Sequence, residues 1–318
     1  MKSSPELHSS SDYEHPKPAR RNCKSRFCGV PLWILSLLVS LVVITAIVVP
    51  IAVMFGRKKN SSGPAPRSAV LVPLYVYPDP GAWDPLFEAA ERYPDLNFTA
   101  VVNPASGPGD EALPDGNYTR DISKLNSYPN VRTVGYVSTR WTSRNISLAL
   151  ADIQVYSRWA TNSSIPNLGM RGIFLDETPS IWNASAQEYL ENVAAAIRSD
   201  AGLGSDPLII QNPGTIPDQR FMPSCNLSVV FEGTYETYQI YGFHKTISAF
   251  QSSSKNDRSK LAAVVHNFPP SLSSKKENKL VKDLRRVAGS VFLTGLSVDY
   301  YSSFWDGWAG FAQDMAAK

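Results

Sequence analysis

The chain has 318 residues, 43% of them apolar and 19% charged, with 24 Pro and only 3 Cys. This composition excludes a disordered chain and a disulfide scaffold, and the length suits one large domain with a tail, or two smaller domains. The net charge of +3 comes from the N-terminal end: residues 1–59 hold nine Lys/Arg against Glu6, Asp12 and Glu14, and the remaining 22 bases and 25 acids form a mildly acidic body without the basic footprint of a nucleic-acid binder.

Residues 1–16 are polar and Ser-rich, a composition that favours disorder, and no role is assigned to them. Residues 29–55 run for 27 positions without a charge. A helix crosses a bilayer with about 20 apolar residues. The apolar region of a cleaved signal peptide is shorter, about 7–15 residues, so residues 29–55 are expected to form one transmembrane helix, kinked at Pro50.

Basic residues flank this span on both sides (Lys17, Arg20, Arg21, Lys24 and Arg26 before it; Arg57, Lys58, Lys59 and Arg67 after it), so charge orients it weakly. The N-x-[ST] acceptors orient it better. They fall at Asn60, Asn97, Asn117, Asn145, Asn162, Asn183 and Asn226, all beyond the span. Glycan acceptors face the secretory lumen. The expectation is a glycosylated type II membrane protein with a signal-anchor, a cytosolic tail over residues 1–28 and a lumenal or extracellular domain, in the plasma membrane or secretory vesicles. Cys23 and Cys28 lie where reversible palmitoylation operates, and Cys225, the only outer thiol, is expected to be buried.

Residues 56–68, with NSSGPAPR at 60–67, are expected to form a stalk. Beyond it, strand patterns fall at Ala69–Tyr77, Asn97–Asn103, Val131–Ser138, Met170–Asp176, Leu208–Asn212, Leu227–Glu232, Lys260–Asn267 and Ser290–Val298. Helical patterns at 84–93, 148–160, 186–200 and 276–288 lie between them. Eight strands alternating with helices over residues 69–318 match the count and size of an α/β fold of the (β/α)8 TIM-barrel class. A doubly wound open sheet shares the alternation, but no Gly-rich phosphate loop opens a helix.

A barrel builds its site where strands end. Tyr75, Tyr77, Asn103, Tyr136, Asp176, Glu177, Asn212, Glu232, His266, Asn267, Asp299 and Tyr300 gather at such positions. Carboxylates at a barrel mouth suit glycoside hydrolysis, in which one protonates the leaving oxygen and the other attacks the anomeric carbon or activates water. Crowding of Asp176, Glu177 and Glu232 would raise the proton affinity of at least one. The opposing reading has these acids cap helices or pair with Arg140, Arg144 or Arg171. Taken singly, Tyr75, Tyr77, Trp83, Tyr136, Trp141, Tyr235 and Trp305 read as core or rim packing; as a group they favour a carbohydrate cleft. His244 and His266, 22 positions apart, make a zinc site unexpected, and neither metal nor cofactor is assigned.

The ordered strings VPLYVYPDPGAW (72–83), VVNPASGPGD (101–110), GYVSTRW (135–141), GIFLDE (172–177), QNPG (211–214) and VVFEG (229–233) resemble the spherulin-4 family. The resemblance implies a (β/α)8 barrel and, with a type II anchor, a retaining endo-acting hydrolase of α-1,4-linked N-acetylgalactosamine in galactosaminogalactan biosynthesis. It places the acidic site on Asp176, Glu177 and Glu232. Asp176 is the preferred nucleophile, Glu232 the acid/base, and Glu177 tunes the pair. The substrate-binding set is Tyr75, Tyr77, Asn103, Tyr136, Trp141, Asn212, Tyr235, His266, Asp299 and Tyr300, and the partner is a GalNAc-containing polysaccharide. Where the family often has Tyr after its GYV-T motif, this chain has Arg140 and Trp141. The alternative is a non-catalytic carbohydrate-binding or wall-assembly barrel.

Overall fold

A computed structural model describes residues 26–27, 30–31, 65–162, 164–240, 246–247, 249–251 and 257–317. The chain divides into two units, Met1–Gly63 and Pro64–Lys318. In the first, Arg26–Phe27 pairs antiparallel with Val30–Pro31. Apart from these four residues, the expected tail and membrane span lie outside the described residues, as do residues 56–64 of the stalk, Cys23, Cys28, Asn60 and His244. No helix among the described residues is long and apolar enough to cross a membrane.

The second unit is a closed barrel of eight parallel strands: β1 Ala69–Leu74, β2 Phe98–Val102, β3 Val131–Ser138, β4 Gly172–Asp176, β5 Leu208–Gln211, β6 Leu227–Thr234, β7 Leu261–His266 and β8 Ser290–Leu293. Closure is made by β8 on β1, with Ser290 opposite Ala69 and Val291 opposite Val70, which rules out the open sheet. The helices are α1 Asp84–Arg92, α2 Gly116–Leu125, α3 Ile146–Trp159, α4 Ala184–Ser199, α5 Tyr235–Ile240, α6 Ser274–Val287 and α7 Trp308–Ala316.

Local chemistry sets the helix ends. Asp115, Asn145 and Asn183 are N-caps whose side chains accept backbone N–H groups of the first turn. Arg92, Lys124, Arg158 and Arg198 sit in last turns, where the helix dipole favours a cation. The helices pack close on the strands: a Cβ at Gly135 would lie 2.6 Å from the ring of Tyr156 on α3.

Three sequence expectations change. The first strand stops at Leu74, not Tyr77, and the last at Leu293, not Val298. Beyond it, Gly295 lies against the Trp305 indole, where a Cβ would come within 2.3 Å, and the chain turns into a loop. Trp83 is fully buried and donates its indole N–H to the Val76 carbonyl, so it belongs to the core and not to a sugar-facing surface. The α2, α5 and α7 helices fall outside the four helical stretches expected: α2 is mostly polar, α5 has six residues, and α7 is short and rich in small residues.

Residues 65–68 are tied to the lower end of the barrel, where the strands begin. Arg285, which is 1% exposed, donates to the carbonyls of Ala65 (3.2 Å), Pro66 (3.1 Å) and Asp314 (3.1 Å). Arg258 donates to the Arg67 carbonyl and the Ser68 hydroxyl, both at 2.8 Å.

Candidate active site

Alternation along the strands selects which side chains meet at the upper end. Across β3 and β4, Tyr136 is opposite Phe174 and Ser138 opposite Asp176, so Tyr136, Ser138 and Asp176 share one face. On the far side, Glu232 of β6 is opposite Val264, and Thr234 opposite His266, the last residue of β7. A bulge between Val229 and Phe231 resets the β6 register just before Glu232.

Asn212, one residue past β5, joins the two sides. Its Nδ2 donates to Asp176 Oδ1 at 2.8 Å and to Glu232 Oε2 at 2.7 Å. These two oxygens are therefore no more than about 5.5 Å apart, the two bonds laid end to end. The other Asp176 oxygen accepts the Tyr136 hydroxyl at 2.8 Å. Glu232 Oε1 accepts the Tyr300 hydroxyl at 2.6 Å and also that of Tyr301, and the two phenol oxygens lie against each other.

Glu177 adopts φ +52°, a left-handed conformation that turns the chain immediately after Asp176. Its carboxylate accepts the Ser138 hydroxyl at 2.5 Å, and its carbonyl accepts Trp141 N at 2.6 Å and Thr139 Oγ1 at 2.9 Å. Burial first, and then the charges of Asp176, Glu177 and Glu232, raise the proton affinity of Tyr136, which therefore stands among the acids as a neutral donor.

Burial pushes the Asp176 carboxyl above its usual range, against the lowering effect of hydrogen bonds from Tyr136, Glu177 N and Asn212; the Glu232 charge adds least. Desolvation, and not crowding, is thus the leading cause. Burial lowers the proton affinity of His266, against the opposing pull of Glu232, so its imidazole is neutral. Burial first, then nearby carboxylates, raises Tyr300 and Tyr301.

The opposing reading, acids paired with arginine, is not what the chain does. Arg144 binds Asp152 at 2.7 Å, and no ion pair among the described residues includes Asp176, Glu177 or Glu232. Nor does any group of three His, Cys, Asp or Glu among the described residues suit a metal ion. Cys225 is buried, with its thiol pushed up to about 12 by desolvation, and is unsuited to nucleophilic work.

The other expected site residues divide. Tyr75 packs edge-on against Tyr136 and tilted against Tyr301, and His266 stacks on Tyr300. Trp141 is 65% exposed beside Glu177. Four others have their contacts elsewhere. Tyr77 donates to Asp115 on the exposed rim. Asn103 accepts Gly107 N and shapes its own loop. The Tyr235 ring packs on Phe268, and the Asp299 carbonyl closes a turn with Ser302. Ser138 and Tyr301 were missed, although each adjoined a visible signal: Ser138 ends its strand pattern and Tyr301 follows Tyr300.

Among the acceptor asparagines, Asn97, Asn145, Asn183 and Asn226 are exposed, whereas Asn117 and Asn162 are half-buried. The hydroxyls two residues after Asn97 and Asn226 belong to buried Thr99 and Ser228.

Residues 69–315 match the sequence profile of the family described as spherulation-specific family 4. The chain belongs to that family. Spherulin-4 of Physarum polycephalum is 39% identical over 163 residues, which is 51% of this chain and 44% of that protein, so the match spans less than half of that relative. The crystal structure of Aspergillus clavatus Sph3 in complex with GalNAc is similar at 47% identity and a TM-score of 0.75, covering 80% of this chain and 99% of Sph3. The endo-1,4-beta-mannanase from Rhizomucor miehei shares the fold alone, at 7% identity and a TM-score of 0.54 over 80% of this chain and 95% of its own.

Proposed function

We propose that this family member is a retaining, endo-acting glycoside hydrolase that cleaves α-1,4-linked N-acetylgalactosamine in galactosaminogalactan during exopolysaccharide biosynthesis. The observation that carries the reading is the Asp176–Asn212–Glu232 bridge, which keeps two carboxylates within about 5.5 Å. Retaining glycosidases hold their acids about 5–5.5 Å apart, whereas inverting ones need about 6.5–9.5 Å to admit water. The sugar comes from the likeness to Sph3, which was crystallised with GalNAc.

In this mechanism an Asp176 oxygen attacks the anomeric carbon while Glu232 gives its proton to the departing glycosidic oxygen. Glu232 then takes a proton from the water that releases the sugar from Asp176. Tyr136 and Asn212 hold Asp176 in line, and Glu177 adds negative charge favouring the oxocarbenium-like transition state. Anchoring by residues 29–55, with the barrel lumenal or extracellular, belongs to the same reading.

The purified full chain, in detergent, should release oligosaccharides from the polymer, with the first product keeping the anomeric configuration of the cleaved bond. Asp176→Asn and Glu232→Gln should each abolish release while leaving the fold intact. A parent that retains the polymer without cutting it would make the barrel a binding module.

A further inference from the structure

The connection from β8 to α7 places two consecutive tyrosines on one carboxylate oxygen, Glu232 Oε1. Neighbouring side chains of an extended segment point to opposite sides. Here Asp299 is left-handed, at φ +44°, and its carbonyl accepts Ser302 N at 2.8 Å, a tight turn from which both hydroxyls reach the same atom. Both rings are backed by other rings. His266 stacks on Tyr300 with centroids 4.2 Å apart and planes within 3°. Tyr75 packs on Tyr301 at 4.8 Å and edge-on against Tyr136 at 5.5 Å. Tyr136 in turn donates to Asp176.

The groups facing Glu232 are Tyr75 just after β1, Tyr136 from β3, Asp176 from β4, Asn212 after β5, His266 from β7 and the two tyrosines. None is a cation, since the imidazole is neutral. A phenol suits a carboxyl that changes state: it donates to the ionised form and turns to accept from the protonated one, whereas a guanidinium only donates.

We propose that Tyr300 and Tyr301 are positioning residues that clamp Oε1 of Glu232 and steady the carboxylate formed when that residue gives up its proton. The inference rests on the hydrolase reading above for its catalytic meaning. When Glu232 passes its proton to the glycosidic oxygen, both phenols donate to the charge left behind. The clamp therefore strengthens as the transition state is approached, which is the kind of interaction that raises kcat. His266 and Tyr75 hold the rings by stacking.

The test uses the full chain with Tyr301→Phe and, separately, Tyr300→Phe, which keeps the ring stacked on His266. Each should lower kcat by roughly tenfold or more with KM little changed, and move the alkaline limb of kcat/KM up by about one pH unit, because removing a donor favours the protonated carboxyl. A purely structural role would lower the melting temperature and leave the limb in place. Carboxyl titration followed by difference infrared spectroscopy, in parent and variants, needs no turnover. A shifted titration supports the clamp even if the parent cuts no polymer, which would defeat only the hydrolase reading. Unshifted titrations in both variants overturn the clamp, including when the parent is an active hydrolase.

Discussion

Asp176 and Glu232 share a single donor: Nδ2 of Asn212 stands 2.8 Å from one carboxylate and 2.7 Å from the other. Acids from strands on opposite sides of β5 are thus held at a fixed spacing by a group that carries no charge.

Asn212→Ala removes that spacer and leaves each carboxylate one donor short. The expected result is a loss of roughly 100-fold in kcat, the scale seen when a preorganised donor is deleted. Steady-state release of reducing ends from the polymer measures it, and a variant within threefold of the parent would show that the bridge is incidental.

Asp176 gives a stability signature with a definite sign. Its folded-state proton affinity is raised, chiefly by burial, so the folded protein binds this proton more tightly than the unfolded chain does. The ionised side chain therefore opposes folding above the raised value, and the effect vanishes below the unfolded value of about 3.9. Asp176→Asn should raise the melting temperature near neutral pH, with a gain that shrinks as pH falls. In the parent, activity should be lost on acidification at a higher pH than an ordinary aspartate would give, because attack needs the ionised form.

Arg285 tests how residues 65–68 contribute. Its guanidinium is buried and donates only to backbone carbonyls, those of Ala65, Pro66 and Asp314. Arg285→Ala leaves these acceptors unpaired and should cost about 2–4 kcal/mol in urea unfolding, with kcat unchanged below the transition. Removing residues up to 68 should be comparably destabilising, since it strands the charge. Equal midpoints for parent and variants would show that the segment is only a passive lead-in.

Trp141 stands in a run of three left-handed residues, Arg140, Trp141 and Thr142, at φ 47°, 52° and 66°. Each such conformation costs about 1–2 kcal/mol outside glycine, a strain that concentrates at functional sites. Its backbone N–H is bonded to the Glu177 carbonyl, which fixes this loop beside Glu177 with the indole exposed. Trp141→Ala should raise KM for polymer about 5–10-fold and leave kcat nearly unchanged, with Trp141→Phe recovering most of the loss. An unaltered KM would remove the indole from the binding surface.

The sequence made the barrel legible because each parallel strand is buried on both sides and reads as an apolar run, as in GIFLD and LAAVVH. It also marked Asp176 and Glu232, since a charge closing such a run is out of place unless it has work to do. It could not separate Trp83, Tyr77 and Asn103, whose proximity to strand ends is the same in the string whether the side chain meets the acids, the rim or the core.

Composition and periodicity alone determined eight strands, their order of appearance and the carboxylates at their ends, because these follow from contacts between near neighbours in the chain. Only the tertiary structure decided that Asn212 stands between two acids and that Tyr300 and Tyr301 reach the same oxygen of Glu232, which precedes them by 68 and 69 positions. Those contacts arise from barrel closure and from a left-handed turn at Asp299, and no local pattern encodes where a closed sheet brings its ends together.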